Sequence, residues 1–163
     1  MKPTQKLTLT AMFIAIGTLT SHLFYIPLGV VKAFPIQHVM NVLSAVLLGP
    51  FYAVAQAFGV SLLRNLMGTG SVFAFPGSIL GALLAAYFYK KFKSLGMAFT
   101  GEVIGTGILG AFASYPIALL VIGQEATLFG FIPAFVTSSF VGAAMGFGVL
   151  KVIGRTKVTE LKL

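Results

Sequence analysis

The chain has no cysteine, no tryptophan and no aspartate, and its acids are three: Glu102, Glu125 and Glu160. Without cysteine there is no disulfide, thiol nucleophile, iron–sulfur cluster or thiolate zinc site. With so few carboxylates, paired-acid catalysis and Asp-held magnesium lack their groups. No Gly-Lys dipeptide occurs, so the GxxxxGK[ST] phosphate loop is missing and the chain has no such route to ATP hydrolysis. His22 and His38 are the only histidines, and no GxSG-like nucleophile motif accompanies them. The inventory points away from an enzyme, and no catalytic residue, metal site or cofactor is expected.

Charge is scarce as well. Only 9% of the 163 residues are charged and 58% are hydrophobic, whereas a soluble domain carries roughly a quarter charged residues. So few polar groups cannot coat a soluble surface, and lipid must supply much of the solvent. At about 20 apolar residues per spanning helix, the length suits about six spans in one membrane domain, 1–163. The expected fold class is an all-α bundle with spans at about 7–25, 36–48, 51–67, 77–90, 94–115 and 128–150. Pro27, Gly29, Lys32 and Pro35 mark a loop of about ten residues after the first span. Gly49-Pro50 separates the second span from the third. The second, about 13 residues and about 20 Å, is shorter than a hydrocarbon core of about 30 Å. Irregular backbone shielded by protein is expected to complete that crossing. Pro116 permits a kink, and the apolar stretch continues to Ile122 before Gly123, Gln124 and Glu125, the last two being ordinary loop residues.

The net charge of +8 has a definite distribution. Six spans with both termini inside place Lys2, Lys6, Lys90, Lys91, Lys93, Lys151, Arg155, Lys157 and Lys162 on the cytoplasmic side, nine of the eleven basic residues. Lys32 falls in an outer loop and Arg64 near the outer end of its span. This asymmetry accounts for the basic charge without nucleic acid as a partner.

Polar residues inside spans are expensive unless they face protein or water. His38 and Asn41 share a helical face and can bond either a small polar ligand or neighbouring backbone. Arg64 and Asn65 precede the loop from Gly68 to Pro76. Arginine stays charged, so Arg64 must snorkel or find an acceptor. Phe73 and Phe75 alternate in that loop, suited to stacking on a flat ring or to anchoring at the interface. Glu102 is the one acid inside a span, with Thr106 at i+4 and the bare backbone of Gly105 between. It lies about 13 Å along the helix from Lys93, near the midplane and too far below Arg64 for a direct ion pair. It is a ligand, proton or cation site, or a protonated structural group. Tyr115 lies toward the same outer side. Small residues four apart, at Ala11 and Ala15, at Gly77, Gly81 and Ala85, and at Gly142 and Gly146, allow close helix approach. The last two sets suit internal packing and the first suits docking of a partner helix.

Ala11-Met12-Phe13-Ile14-Ala15, Gln37-His38-Val39-Met40-Asn41-Val42, Leu63-Arg64-Asn65-Leu66-Met67-Gly68-Thr69-Gly70, Ala74-Phe75-Pro76-Gly77 and Gly101-Glu102-Val103-Ile104-Gly105-Thr106-Gly107 together resemble the S components of energy-coupling factor (ECF) transporters. The similarity is greatest to the ThiW type and covers nearly the whole chain. The resemblance implies a six-helix bundle in the cell membrane, with a ligand pocket near the outer face, closed by outer loops. It implies that Ala11 and Ala15 match the AxxxA motif that contacts the transmembrane T component, and that two partner ATPase subunits drive import. It further implies hydroxyethylthiazole, a vitamin precursor salvaged for thiamine, as cargo. A flat neutral ring alcohol suits Phe73, Phe75 or Tyr115 and the polar groups of His38, Asn41, Asn65 or Glu102. The aminopyrimidine precursor or thiamine would also suit Glu102, and a stand-alone gradient-driven carrier or channel is the alternative of another class.

Overall fold

The computed structural model describes residues 1–28, 31–123 and 130–160, with backbone only at 28, 31, 121, 122 and 155–160. Gly29, Gln124, Glu125, Lys162 and the expected start of the sixth span at 128 lie outside the described residues.

Helix α1, Pro3–Ser21, opens with proline at its first turn, where no backbone donor is needed. It stops before the expected Tyr25. Ser21 turns its hydroxyl back onto Gly17 O, as Thr20 does onto Ile16 O, and Pro27 excludes further helix. The expected loop is instead a hairpin: β1, Ile26–Leu28, pairs antiparallel with β2, Val31–Ala33, setting Ile26 opposite Ala33 and Pro27 opposite Lys32. Lys32 Nζ sits 4.5 Å from the Tyr25 ring centroid.

Helices α2, Pro35–Leu47, and α3, Pro50–Leu66, meet at Gly49, whose φ of 93° suits glycine. Helix α4, Ala74–Phe92, begins three residues before the expected 77. Helix α5, Leu95–Ile104, runs on through a π-helical turn at Gly105–Gly110, α6 at Ala111–Pro116 and a second π-helical turn at Ile117–Ile122. The helical path therefore passes Tyr115. Its second widening follows Pro116, which has no N–H to donate and crowds the carbonyl one turn back. Helix α7 spans Ile132–Glu160. The run Leu95–Leu120 and the segment Ile132–Gly154 are long and apolar enough to cross a membrane.

The short α2 is the axis of the bundle. Every residue from Gln37 to Ala45 is buried, against α1, α3, α4, α5 and α7. Val39, Met40, Val42 and Leu43 pack with Ala143 and Leu150 of α7. An alanine-lined seam of Ala45, Ala53, Ala57, Ala82, Ala85 and Ala86 joins α2, α3 and α4. Side chains this small bring helix backbones close, which supplies packing where lipid offers no hydrophobic drive. The α4–α5 contact is closer still: a Cβ added at Gly105 would meet Leu80 O at 2.5 Å, and one at Gly110 would meet Gly77 Cα at 2.4 Å. Gly142 of α7 packs on Pro35 O and His38 of α2 in the same way.

The start of α1, the end of α2, the start of α3 and the end of α4 converge at one end of the bundle, bringing Lys6, Lys90 and Lys93 together. The hairpin and the turn after α3 lie at the other end of those helices.

Candidate functional site

Polar residues on α2 meet partners from three other helices in two networks. In the first, Glu102 of α5 is fully buried. Its Oε1 accepts from His38 Nδ1 at 2.7 Å, from Asn41 Nδ2 at 2.9 Å and lies 3.0 Å from the Thr106 hydroxyl. That hydroxyl is equally close to Gly77 O on α4, so its one proton is shared between two acceptors. Ser78 of α4 donates to Asn41 Oδ1 at 3.1 Å. Glu102 Oε2 is buried without a hydrogen-bond partner among the described residues. One carboxylate oxygen is thus locked in place by donors on α2 and on the π-helical turn that follows α5, and the other keeps its full capacity to accept a bond. His38 and Glu102 form the one contact within 4 Å between a basic or imidazole nitrogen and a carboxylate among the described residues.

The second network surrounds Arg64, which is 2% exposed. Snorkelling to headgroups is therefore corrected: Arg64 Nη1 donates to Gln37 Oε1 at 2.5 Å and Nη2 to Thr69 O at 2.8 Å. Its guanidinium lies 4.4 Å from the Phe34 ring centroid, a cation–π contact strengthened by desolvation. Gln37 Nε2 donates in turn to Ser61 Oγ at 2.9 Å. Arg64 Nε is buried without a partner among the described residues. The loop folds back because Thr69 N and Gly70 N both cap Arg64 O, at 2.9 and 3.0 Å. Gly70 passes so near that an added Cβ would come within 3.1 Å of Arg64 backbone.

His38, Asn41, Glu102 and Thr106 are thus brought together, and Arg64 stands beside them through Gln37, the neighbour of His38 on α2. Other expected residues go elsewhere. Asn65 Nδ2 is spent on Ser61 O and Ser71 O, tying the loop to α3. Phe75 packs against Phe58 on α3 with centroids 5.7 Å apart, and Phe58 is exposed. Phe73 pairs with Phe131 at 4.8 Å, and Phe131 with Phe135, which covers Gly77 beside Thr106. Half-buried Tyr115 joins neither network. Sequence reasoning missed Gln37, Ser61, Ser78, Phe34, Phe131 and Phe135. Spacing held a signal for Gln37 and Asn41, which are four apart and so share a face of α2. No group of three metal-ligating side chains occurs among the described residues.

Arg64→Ala is expected to lower the unfolding free energy by about 2–3 kcal/mol, the scale of a buried hydrogen bond to a charged group. It orphans Gln37 Oε1 and Thr69 O together, and Arg64→Lys restores part of the loss by supplying one donor at a time. Thermal unfolding of the purified protein in detergent measures both; a wild-type midpoint for Arg64→Ala would mean that the contacts carry no net stability.

On α1, Ala11 and Ala15 are exposed, whereas Thr10, Gly17, Thr18 and Ser21 are buried. Met12, Ile16 and Leu19 flank them and are also exposed.

A family model described as thiamine-precursor transporter protein (ThiW) matches residues 7–156. No curated protein and no solved structure matches the chain.

Proposed function

The chain belongs to the ThiW family of thiamine-precursor transporter proteins, and from that membership we propose that it is the substrate-binding S component of an ECF importer, with hydroxyethylthiazole as its cargo. As a member of a transporter family it is a membrane protein that moves a small molecule. In the proposed arrangement six spans cross the cell membrane with both termini inside, which sets the lysine-rich end in the cytoplasm. The ligand enters from the opposite end, beneath the hairpin and the loop after α3.

The observation that carries the binding reading is the Glu102 carboxylate. It is fully buried and oriented by His38, Asn41 and Thr106, and Oε2 has no partner among the described residues. A buried polar group in a bundle is costly unless something bonds it. Asn41 and Thr106 position the carboxylate, Arg64 and Gln37 supply further polar edges, and Phe73 with Phe131 offers a ring surface. Asn65, Phe75 and Tyr115 serve the ligand only indirectly, by holding the loop and the outer helix end. The exposed Ala11 and Ala15 form a narrow docking strip for the T component, and two ATPase subunits of the complex supply the energy.

Calorimetric titration of the purified protein tests the binding reading. Hydroxyethylthiazole is expected to saturate near one ligand per chain. Saturation by the aminopyrimidine precursor or thiamine instead would correct the cargo, and silence for all three in folded protein would overturn the assignment. Ala15→Leu is expected to leave binding unchanged while reducing uptake by the assembled transporter at least tenfold; undiminished uptake would remove the docking role. The buried His38–Glu102 pair favours one rival, a proton-coupled carrier. Uptake by this chain alone into ATP-free liposomes would establish that rival.

A further inference from the structure

At the lysine-rich end, a cavity of about 440 Å³ opens among the start of α1, the α2–α3 turn and the end of α4. Lys6, Lys90 and Lys93 line it together with Tyr52, Tyr89 and Phe51, and among the described residues no carboxylate does. We propose that this cavity binds the phosphate of an anionic phospholipid.

Charge is the first argument. Three lysines line one space, and the one fully described acid, Glu102, is buried against His38 in the other network. Like charges gathered with no counter-ion among the described residues call for an anion from outside, and basic pockets between membrane helices hold anionic headgroups in this way. Lys6 is moreover held in place: its Nζ donates to Leu48 O at 3.1 Å and lies 5.5 Å from the Tyr52 ring centroid. It is not extended into water, and an ammonium with three donors has two left for a phosphate oxygen.

Backbone conformation is the second. Lys93 has a φ of 53°, the one positive value among described residues other than glycine. Side chains disfavour this left-handed conformation, and glycine is the usual residue where a helix ends this way. Lysine at this position adds a third basic residue to the cavity lining at a conformational disadvantage.

The third argument selects a lipid over a free anion. Phe51 on the wall is 78% exposed, and Leu47 beside it is partly exposed. Tyrosines adjoin the lysines, as they do at membrane interfaces. A headgroup can leave its phosphate with the lysines while its acyl chains lie along Phe51 and Leu47. Inorganic phosphate would leave that apolar wall uncovered.

The test uses the full chain in zwitterionic detergent, titrated with phosphatidylglycerol, phosphatidylcholine or inorganic phosphate while thermal unfolding is followed. Phosphatidylglycerol is expected to raise the midpoint saturably, with one lipid per chain retained in native mass spectrometry, and the other two are expected to have little effect. The triple variant Lys6→Gln, Lys90→Gln, Lys93→Gln should lose the shift. Lys93→Gly relieves the backbone while removing one ammonium, so it should keep the basal midpoint and bind phosphatidylglycerol at least threefold more weakly. It decides the matter if the triple variant fails to fold. Equal shifts with phosphatidylcholine, or unchanged phosphatidylglycerol affinity in Lys93→Gly, would overturn the proposal. An equal saturating shift with inorganic phosphate would overturn the lipid in favour of a free anion.

Discussion

Glu102→Ala is expected to abolish ligand binding by the purified protein and to lower its unfolding free energy by about 1–3 kcal/mol, the cost of leaving a buried hydrogen-bonding group without its partner. The substitution takes one acceptor from His38, Asn41 and Thr106 at once. Thr106 retains Gly77 O and Asn41 retains Ser78. The His38 side chain has no other hydrogen bond among the described residues, so its ring nitrogen is the group left stranded. Glu102→Gln separates architecture from charge. Its amide oxygen can take the place of Oε1 and preserve the three contacts, so most of the stability should return. What it removes is the negative charge and the second acceptor. Retained affinity for a neutral ligand, with lost affinity for a cationic one, would show that charge selects the cargo. Wild-type binding in both variants, measured calorimetrically, would exclude Glu102 from the site.

Gly81→Ala carries the second large effect, for a packing reason that acts on the same residues. A Cβ at this position would stand 2.1 Å from Thr106 Oγ1 and 2.8 Å from Glu102 Oε1. Neither group can give way easily, because both are held by hydrogen bonds in a buried seam. The helices must therefore separate, and overpacking of this kind costs about 1–3 kcal/mol. Separation also draws Thr106 and Glu102 away from their α4 and α2 partners, so ligand affinity should fall at least tenfold. Gly148→Ala is the control: nothing lies within 4 Å of its added Cβ, and alanine is the better helix former. It should bind normally and unfold no earlier than wild type. Equal behaviour of the two alanine variants would mean that the α4–α5 contact tolerates expansion.

Several features of this arrangement are legible in order of residues alone. Glu102 and Thr106 are four apart and do share a face, meeting at 3.0 Å. The paired glycines of α4 and of Gly142 and Gly146 mark close helix approaches, since the spacing records which face has no side chain. The hairpin was not legible: three-residue strands interrupted by Pro27 have too little alternation to stand out from a loop. Arg64 could be recognised as needing an acceptor, but its acceptor, Gln37, is 27 residues away. Asn65 and Phe75 adjoin Arg64 and Phe73 in the sequence, yet Asn65 turns to Ser61 O and Ser71 O and Phe75 to Phe58, because neighbouring positions near a helix end point in different directions.

Composition by itself determined that this chain needs lipid as solvent, that its segments are helical and that its basic residues gather at helix ends. Those properties follow from residue types and local spacing. The motifs, quoted in chain order, were enough for the family. Tertiary structure alone decided that Glu102 would find His38, that Arg64 would find Gln37 rather than the headgroups, and that three distant lysines would enclose one cavity. A helical period specifies the face on which a polar group lies. Which donor meets which acceptor depends on how α2 threads between α3, α4, α5 and α7, where glycine and alanine backbones let the helices approach and the scarcity of water leaves each buried group few partners.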